Sequence, residues 1–211
     1  MSRTDKGSSE ASFEVGGDER AGLRPCLQLQ QAVFVTGNPD KLVEARRLCG
    51  ERLSSIDLDL PEIQSLDIVE VLQHKADAAS TLVKGPFVVE ETGLDLAAMN
   101  GFPGALVKWM LVSTGAETLA NIAGLLGDKR ATARCCLLYR DGARSVLGHG
   151  STNGTLVLPP RGSHGFGWDP VFIPEGETRT YAELEPAHKD RLSHRGRAWR
   201  DLRERIAALP G

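Results

Sequence analysis

No apolar run in this 211-residue sequence approaches the ~20 residues that a membrane-spanning helix needs. None of the four cysteines, Cys26, Cys49, Cys135 and Cys136, stands in a CxxC pair, which argues against a zinc site and against a secreted disulfide framework. Cys135 and Cys136 are sequence neighbours and would face opposite sides of a strand. A reducing, cytoplasmic compartment is the expectation. An excess of basic residues is also missing: 25 Lys and Arg stand against 28 Asp and Glu, for a net charge of −3. That balance disfavours nucleic acid and anionic membranes as partners. A site for phosphate esters would therefore have to concentrate positive charge locally. No GxxxxGK[ST] occurs, so there is no P-loop, and no internal repeat is seen.

The chain has the length of one domain, and its 41% apolar residues suffice for a sizeable core. Residues 1–29 stand apart, being rich in Ser, Gly, Glu, Asp and Arg, and read as a disordered tail. The tail has no apolar segment of a secretory signal, and Asp5, Glu10, Glu14, Asp18 and Glu19 disagree with an acid-poor mitochondrial presequence. Residues 30–211 are expected to form the ordered domain. Ala32 to Thr36 reads as a buried strand, Pro39 to about Cys49 as a helix, and Ser55 to Leu60 as a second strand. A helical stripe covers Ile68 to Val83, and Phe87 to Glu90 reads as a short strand. Helices are expected near Ala105 to Ser113 and Glu117 to Leu125. Asp141-Gly142 marks a hairpin between Ala131 to Arg140 and Arg144 to His149. Short strands at Gly154 to Leu158 and Val171 to Ile173, and one amphipathic helix from Arg191 to Leu209, complete the pattern. Early alternation followed by a hairpin predicts a mixed α/β sheet flanked by helices.

Several stretches carry chemistry. Thr36-Gly37-Asn38-Pro39-Asp40-Lys41 feeds a strand into a tight turn that opens a helix. Helix N-termini carry unpaired N–H groups and partial positive charge, which suit an anion, and Lys41 adds a full charge. An ordinary strand-to-helix turn with a solvated lysine has the same pattern. Lys75 follows Ile68, Val71 and Leu72 at helical spacing, so an ammonium sits on the inward stripe. It must reach water, pair with an acid, or meet a ligand anion. Glu90-Glu91-Thr92 ends an apolar run, where ligands collect in open α/β sheets. Carboxylates there suit Mg²⁺, with Glu62 as a candidate partner. Phe166-Gly167-Trp168-Asp169-Pro170 places two aromatic rings among loop glycines. Ser193 is a good N-cap, with His194 and Arg195 projecting from the first helical turn beside Lys189.

Together these residues, with Pro61-Glu62, Phe102-Pro103-Gly104 and Lys108-Trp109, stand in the order found in a known family. From about Gln30 onward the chain resembles the inosine triphosphate pyrophosphatases. The resemblance implies an elongated mixed sheet, two lobes around a central nucleotide-binding cleft, and a homodimer. It also implies Mg²⁺-dependent hydrolysis (Mn²⁺ being the alternative ion) of ITP, dITP and XTP to monophosphate and pyrophosphate. On that basis Thr36, Gly37, Asn38, Pro39, Asp40 and Lys41 cradle phosphates, and Lys75 and Lys108 add phosphate contacts. Glu62 and Glu91 hold the metal and position or activate water, with Thr92 alongside. Phe166 stacks on the base, while Gly167, Trp168, Asp169, Lys189, His194 and Arg195 complete the base and sugar pocket. Three departures from the family pattern stand out. Glu91 stands where Asp is usual, Ala105 and Leu106 stand where an aromatic often follows Pro-Gly, and Ser151 replaces a common basic residue. The extra methylene of Glu91 displaces its carboxylate by roughly an ångström, a misplacement that can cost ~10²-fold in rate.

Overall fold

The structure, a computed structural model, describes Leu29 and residues 31–209. Strand β1 (Val33–Val35) leads through the Thr36–Lys41 turn into α1 (Pro39–Cys49), and β2 (Ser54–Ile56) pairs with β1 in parallel. After α2 (Ile68–Leu82), the long strand β3 (Phe87–Leu96) pairs with β1 in parallel on its other side. The short β4 (Pro103–Gly104) pairs with β3, and α3 (Val107–Thr114) and α4 (Ala116–Leu125) follow. The hairpin of β5 (Arg130–Asp141) and β6 (Arg144–Leu156) continues the sheet antiparallel, and β7 (Phe172–Pro174) closes it. The main path runs β2-β1-β3-β5-β6-β7. Helices α5 (Pro186–Leu192) and α6 (His194–Ala207) end the described chain.

This is the mixed α/β sheet with flanking helices expected from the sequence. Differences lie in element lengths. β3 extends six residues past Glu90, because Thr92, Leu94 and Leu96 find ladder partners along β5. Gly154–Leu156 is the end of β6 rather than a separate strand. The helix expected from Arg191 onward is broken at Ser193, whose extended backbone (ψ 156°) separates α5 from α6. The expected tail lies almost wholly outside the described residues. Leu29, assigned to it by composition, is fully buried among the Phe34, Trp199 and Leu202 cluster.

Three apolar clusters hold the layers. On one face α1 and α6 cover the sheet, with Phe34 and Trp199 meeting edge to face at 5.7 Å between ring centres. On the other face α2 packs Ile68, Leu72, Ala76 and Ala79 against Val89, Cys136 and Leu138. A third cluster lies toward the far ends of the long strands, where Leu94, Leu96 and Leu156 meet Leu119, Phe172 and Tyr181.

Helix α6 approaches the hairpin so closely that its backbone touches β6. A Cβ on Gly150 would overlap the carbonyl oxygen of His194 and the amide nitrogen of Ala198. The start of α6, which carries His194 and Arg195, is therefore seated directly on the sheet. Gly150→Ala should lower the thermal midpoint and weaken binding of the nucleotide that the resemblance implies, since the methyl lifts that helical turn. Ser151→Ala, whose side chain is exposed on the opposite face, should leave both unchanged. Thermal melts and nucleotide titration of the two variants check this.

Candidate active site

Every residue predicted for the site except Lys189 lines one cleft of about 1220 Å³. That exceeds the roughly 300–1,000 Å³ of ordinary small-molecule pockets and leaves room for a nucleoside triphosphate. Lys189 lies behind the wall, 3% exposed. The sequence reading did not single out Asp57, Asp59, Leu111 or Val112, which also line the cleft.

The turn into α1 is preorganised by its own side chains. Asn38 caps the helix, its Oδ1 accepting from the Asp40 and Lys41 amides at 2.9 and 3.1 Å. The Asn38 amide in turn donates to Thr36 Oγ1 at 3.1 Å. These bonds fix the path of the turn and hold Lys41 at the cleft wall, where its Nζ lies 3.2 Å from Glu90 Oε1.

β3 then separates two neighbouring acids. Side chains alternate along a strand, so Glu90 and Glu91 face opposite sides of the sheet. Glu91 turns toward α2, where Lys75 Nζ lies 2.5 Å from its Oε2 and 3.0 Å from Glu62 Oε1. The main-chain amide of Thr92 donates to Glu91 Oε1 at 3.3 Å. The long side chain that departs from the family pattern is thus held at both oxygens. Lys108 reaches the second oxygen of Glu62 at 3.3 Å. Of the three outcomes open to Lys75, the structure shows pairing with acids. Burial alone would lower the Lys75 pKa, but Glu91 and Glu62 outweigh it and raise it. Burial alone would raise Glu62, and Lys75 and Lys108 bring it below its usual value.

Glu90 turns the other way, into a buried lattice. Arg195 donates to both oxygens of Glu90 (3.0 to 3.2 Å) and from Nη1 to Glu44 Oε2 at 2.5 Å. Lys189 bridges Glu44 Oε1 at 2.7 Å and Asp169 Oδ2 at 2.5 Å. Asp169 also accepts from the Phe166 amide at 2.8 Å, pinning the FGWDP loop. The Phe166 ring lies 5.2 Å from the Arg195 guanidinium carbon and 5.4 Å from Lys189 Nζ. The sequence reading missed Glu44 and offered Glu90 together with Glu91 as a metal carboxylate, whereas Glu90 pairs with Arg195 and Lys41. Glu44 is the inward-facing acid of α1, the same kind of irregularity as Lys75 on α2, and that signal could have found it. The corner between α5 and α6 is closed by Gly196, where any Cβ would overlap the Asp190 carbonyl.

Lattice partners set the carboxylate pKa values. Burial would raise Glu44, yet Arg195 and Lys189 bring it down to about 2. Arg195 and Lys41 likewise hold Glu90 low against its burial. Asp169 goes the other way, because its burial outweighs the attraction of Lys189. His194, 2% exposed, has both ring nitrogens without a hydrogen-bond partner among the described residues. Its pKa lies well below 6.5, first through burial and then through Arg195 and Lys189, so the ring is neutral. Trp168, 5.9 Å away between ring centres, also leaves its indole N–H unspent.

Comparison with known proteins places this geometry. A profile of the Ham1 family matches residues 32–205. The chain is 42% identical over 180 residues to the inosine triphosphate pyrophosphatase of Schizosaccharomyces pombe, covering 83% of this chain and 95% of that protein. Among solved structures, a HAM1 protein from Coxiella burnetii superposes with a TM-score of 0.71 at 26% identity, covering 84% of this chain and 98% of the other. A nucleoside-triphosphatase, dITP/XTP pyrophosphatase, from Mycobacterium abscessus gives 0.59 at 27% identity, covering 86% of this chain and 100% of the other.

The carboxylates define an acid limit. Glu44, Glu62 and Glu90 have folded pKa values below their ordinary 4.5. Each therefore stabilises the fold above pH 4.5 and loses that contribution as pH falls below it, Glu44 as the pH approaches about 2. Urea midpoints should drop steeply across this window. Glu44→Gln should be less stable at pH 7 and show a shallower drop below pH 4.5.

Proposed function

This chain belongs to the Ham1 family, and on that premise we propose that it hydrolyses nonstandard purine nucleoside triphosphates, ITP, dITP and XTP, to the monophosphate and pyrophosphate. The observation that carries this reading is the content of the cleft of about 1220 Å³. A carboxylate–ammonium cluster built from Glu62, Glu91, Lys75 and Lys108 shares that cleft with a pocket of Phe166, Trp168 and His194, in which the ring nitrogens of Trp168 and His194 have no hydrogen-bond partner among the described residues.

In this reading the Thr36–Lys41 turn, Lys75 and Lys108 take the phosphates. Glu62 and Glu91 would hold Mg²⁺, with Mn²⁺ as the alternative. The two carboxylates suit a cation between them, since both already contact one ammonium, that of Lys75. The bound ion would supply positive charge against the departing pyrophosphate. Glu91 orients the attacking water, and the lysines stabilise the negative charge that develops on the phosphate oxygens.

Selectivity follows from which donors remain. Arg195 has five N–H groups, three of which serve Glu44 and Glu90. One hydrogen on each Nη, the Trp168 N–H and the neutral His194 ring are left for a base lying against Phe166. Hypoxanthine and xanthine present an O6 acceptor, whereas adenine presents an N6 donor and would meet donor with donor. Mismatch of that kind can reach ~10⁴-fold. Lys189 acts from behind, by holding Asp169 and through it the loop. The same reading includes a cytoplasmic homodimer.

Pyrophosphate release from ITP, XTP, dITP, GTP and ATP, with Mg²⁺ and with EDTA, tests the proposal. Metal-dependent release from ITP, dITP or XTP should far exceed that from ATP and GTP. Glu91→Gln should lower it on the order of 100-fold. Absence of release from all five, with ITP still bound, would replace the enzyme by a binding module.

A further inference from the structure

The two carboxylates assigned to the metal are spanned by a cation of the chain itself. Lys75 Nζ touches Glu91 Oε2 and Glu62 Oε1 at 2.5 and 3.0 Å, and Lys108 holds the other Glu62 oxygen at 3.3 Å. Two carboxylates and two ammoniums make the cluster formally neutral. Lys75 is 9% exposed, on the inward stripe of α2 beside the buried Leu72 and Ala76. Its remaining polar contact is the Glu90 carbonyl at 3.5 Å. Lys108 differs, its side chain being 60% exposed and free to turn into water. Among the described residues no group of three or more His, Cys, Asp or Glu could hold a metal ion. A six-coordinate ion would therefore draw its other ligands from water and from phosphate oxygens.

We infer that Lys75 makes the metal subsite conditional on the triphosphate, so that the chain takes a divalent ion as the metal–triphosphate complex and holds the free ion poorly. This rests on the assignment of Glu62 and Glu91 as metal ligands. A free ion entering between them would have to displace the Lys75 ammonium from both carboxylates, or sit against it. Either way the cluster passes from neutral to two positive charges, and a buried ammonium loses its counter-ions. A triphosphate arriving with the ion removes both penalties, because its oxygens receive the ammonium as the carboxylates receive the metal. Lys75 exchanges carboxylate for phosphate in the same event. By linkage, the ion strengthens triphosphate binding by the factor with which the triphosphate strengthens binding of the ion.

The test uses Mn²⁺ alone as the probe, read by electron paramagnetic resonance on the full chain. Wild type is compared with Lys75→Met, and with Lys75→Gln in case the first variant melts early. Circular dichroism confirms folding. Without nucleotide, the Lys75 variants should bind Mn²⁺ at least ~10-fold more tightly than wild type. Adding Glu62→Gln to Lys75→Met should abolish that gain, which locates the ion. Calorimetry with an α,β-methylene analogue of ITP gives the other arm: Mn²⁺ should tighten analogue binding to wild type, and the gain should shrink in Lys75→Met. Equal affinity of wild type and the Lys75 variants for free Mn²⁺ would overturn the role of Lys75 while leaving the metal assignment standing. No protein-bound Mn²⁺ in any variant, and no effect of Mn²⁺ on the analogue, would remove the metal assignment itself.

Discussion

Glu44 and Glu90 are almost wholly removed from water, and both lie on the guanidinium of Arg195. Removing one partner from such a buried pair typically costs about 3–5 kcal/mol, because the other charge is left without a counter-ion or solvent. The cost falls on three elements at once. Glu44 belongs to α1, Glu90 to β3 and Arg195 to α6. Lys189 extends the arrangement from Glu44 to Asp169, and Asp169 fixes the Phe166 amide. The aromatic wall of the cleft thus owes its place to alternating charges behind it. Apolar packing would hold the same helices to the sheet, but it would not specify which way the FGWDP loop faces.

Alternation along β3 gives adjacent glutamates separate tasks. Glu90 faces the α6 side and serves the lattice, whereas Glu91 faces α2 and meets Lys75 and Glu62. A single-residue slip of β3 against β5 would exchange these roles and dismantle both sets of ion pairs. The ten-residue pairing from Phe87–Arg140 to Leu96–Ala131 prevents it.

The sequence was informative where local chemistry decides the outcome. Pro39 in the first helical turn and the Asp141-Gly142 hairpin depend on neighbours within a few residues, and both were readable. Lys75 announced itself because a charge on an apolar stripe demands a partner. The identity of that partner was beyond reach: Glu91 is sixteen residues away and on another element. Glu44 and Arg195 are separated by 151 positions, and only the packing of α6 over β5 and β6 brings them together. The break at Ser193 was legible in its capping side chain but not in the amphipathic spacing, which runs on across Arg191 to Leu209. It is enforced by the cap of Ser193 on the Gly196 amide and the close corner at that glycine, neither of which periodicity reports. The extent of β3 likewise depended on the length of β5, a property of the partner strand.

Helix α1 carries the Asn38-capped turn at its start and Glu44 one turn and a half further on. Six residues of helix rise span about 9 Å, and a helix that short does not bend appreciably. A tilt introduced at Asn38 is delivered to Glu44, hence to Lys189, Arg195 and the loop beyond. The segment therefore has to satisfy two sets of geometric demands rather than one. A substitution that the turn would tolerate alone can be rejected for what it does at the opposite end, so compensating changes in this protein should arise in pairs distant in sequence.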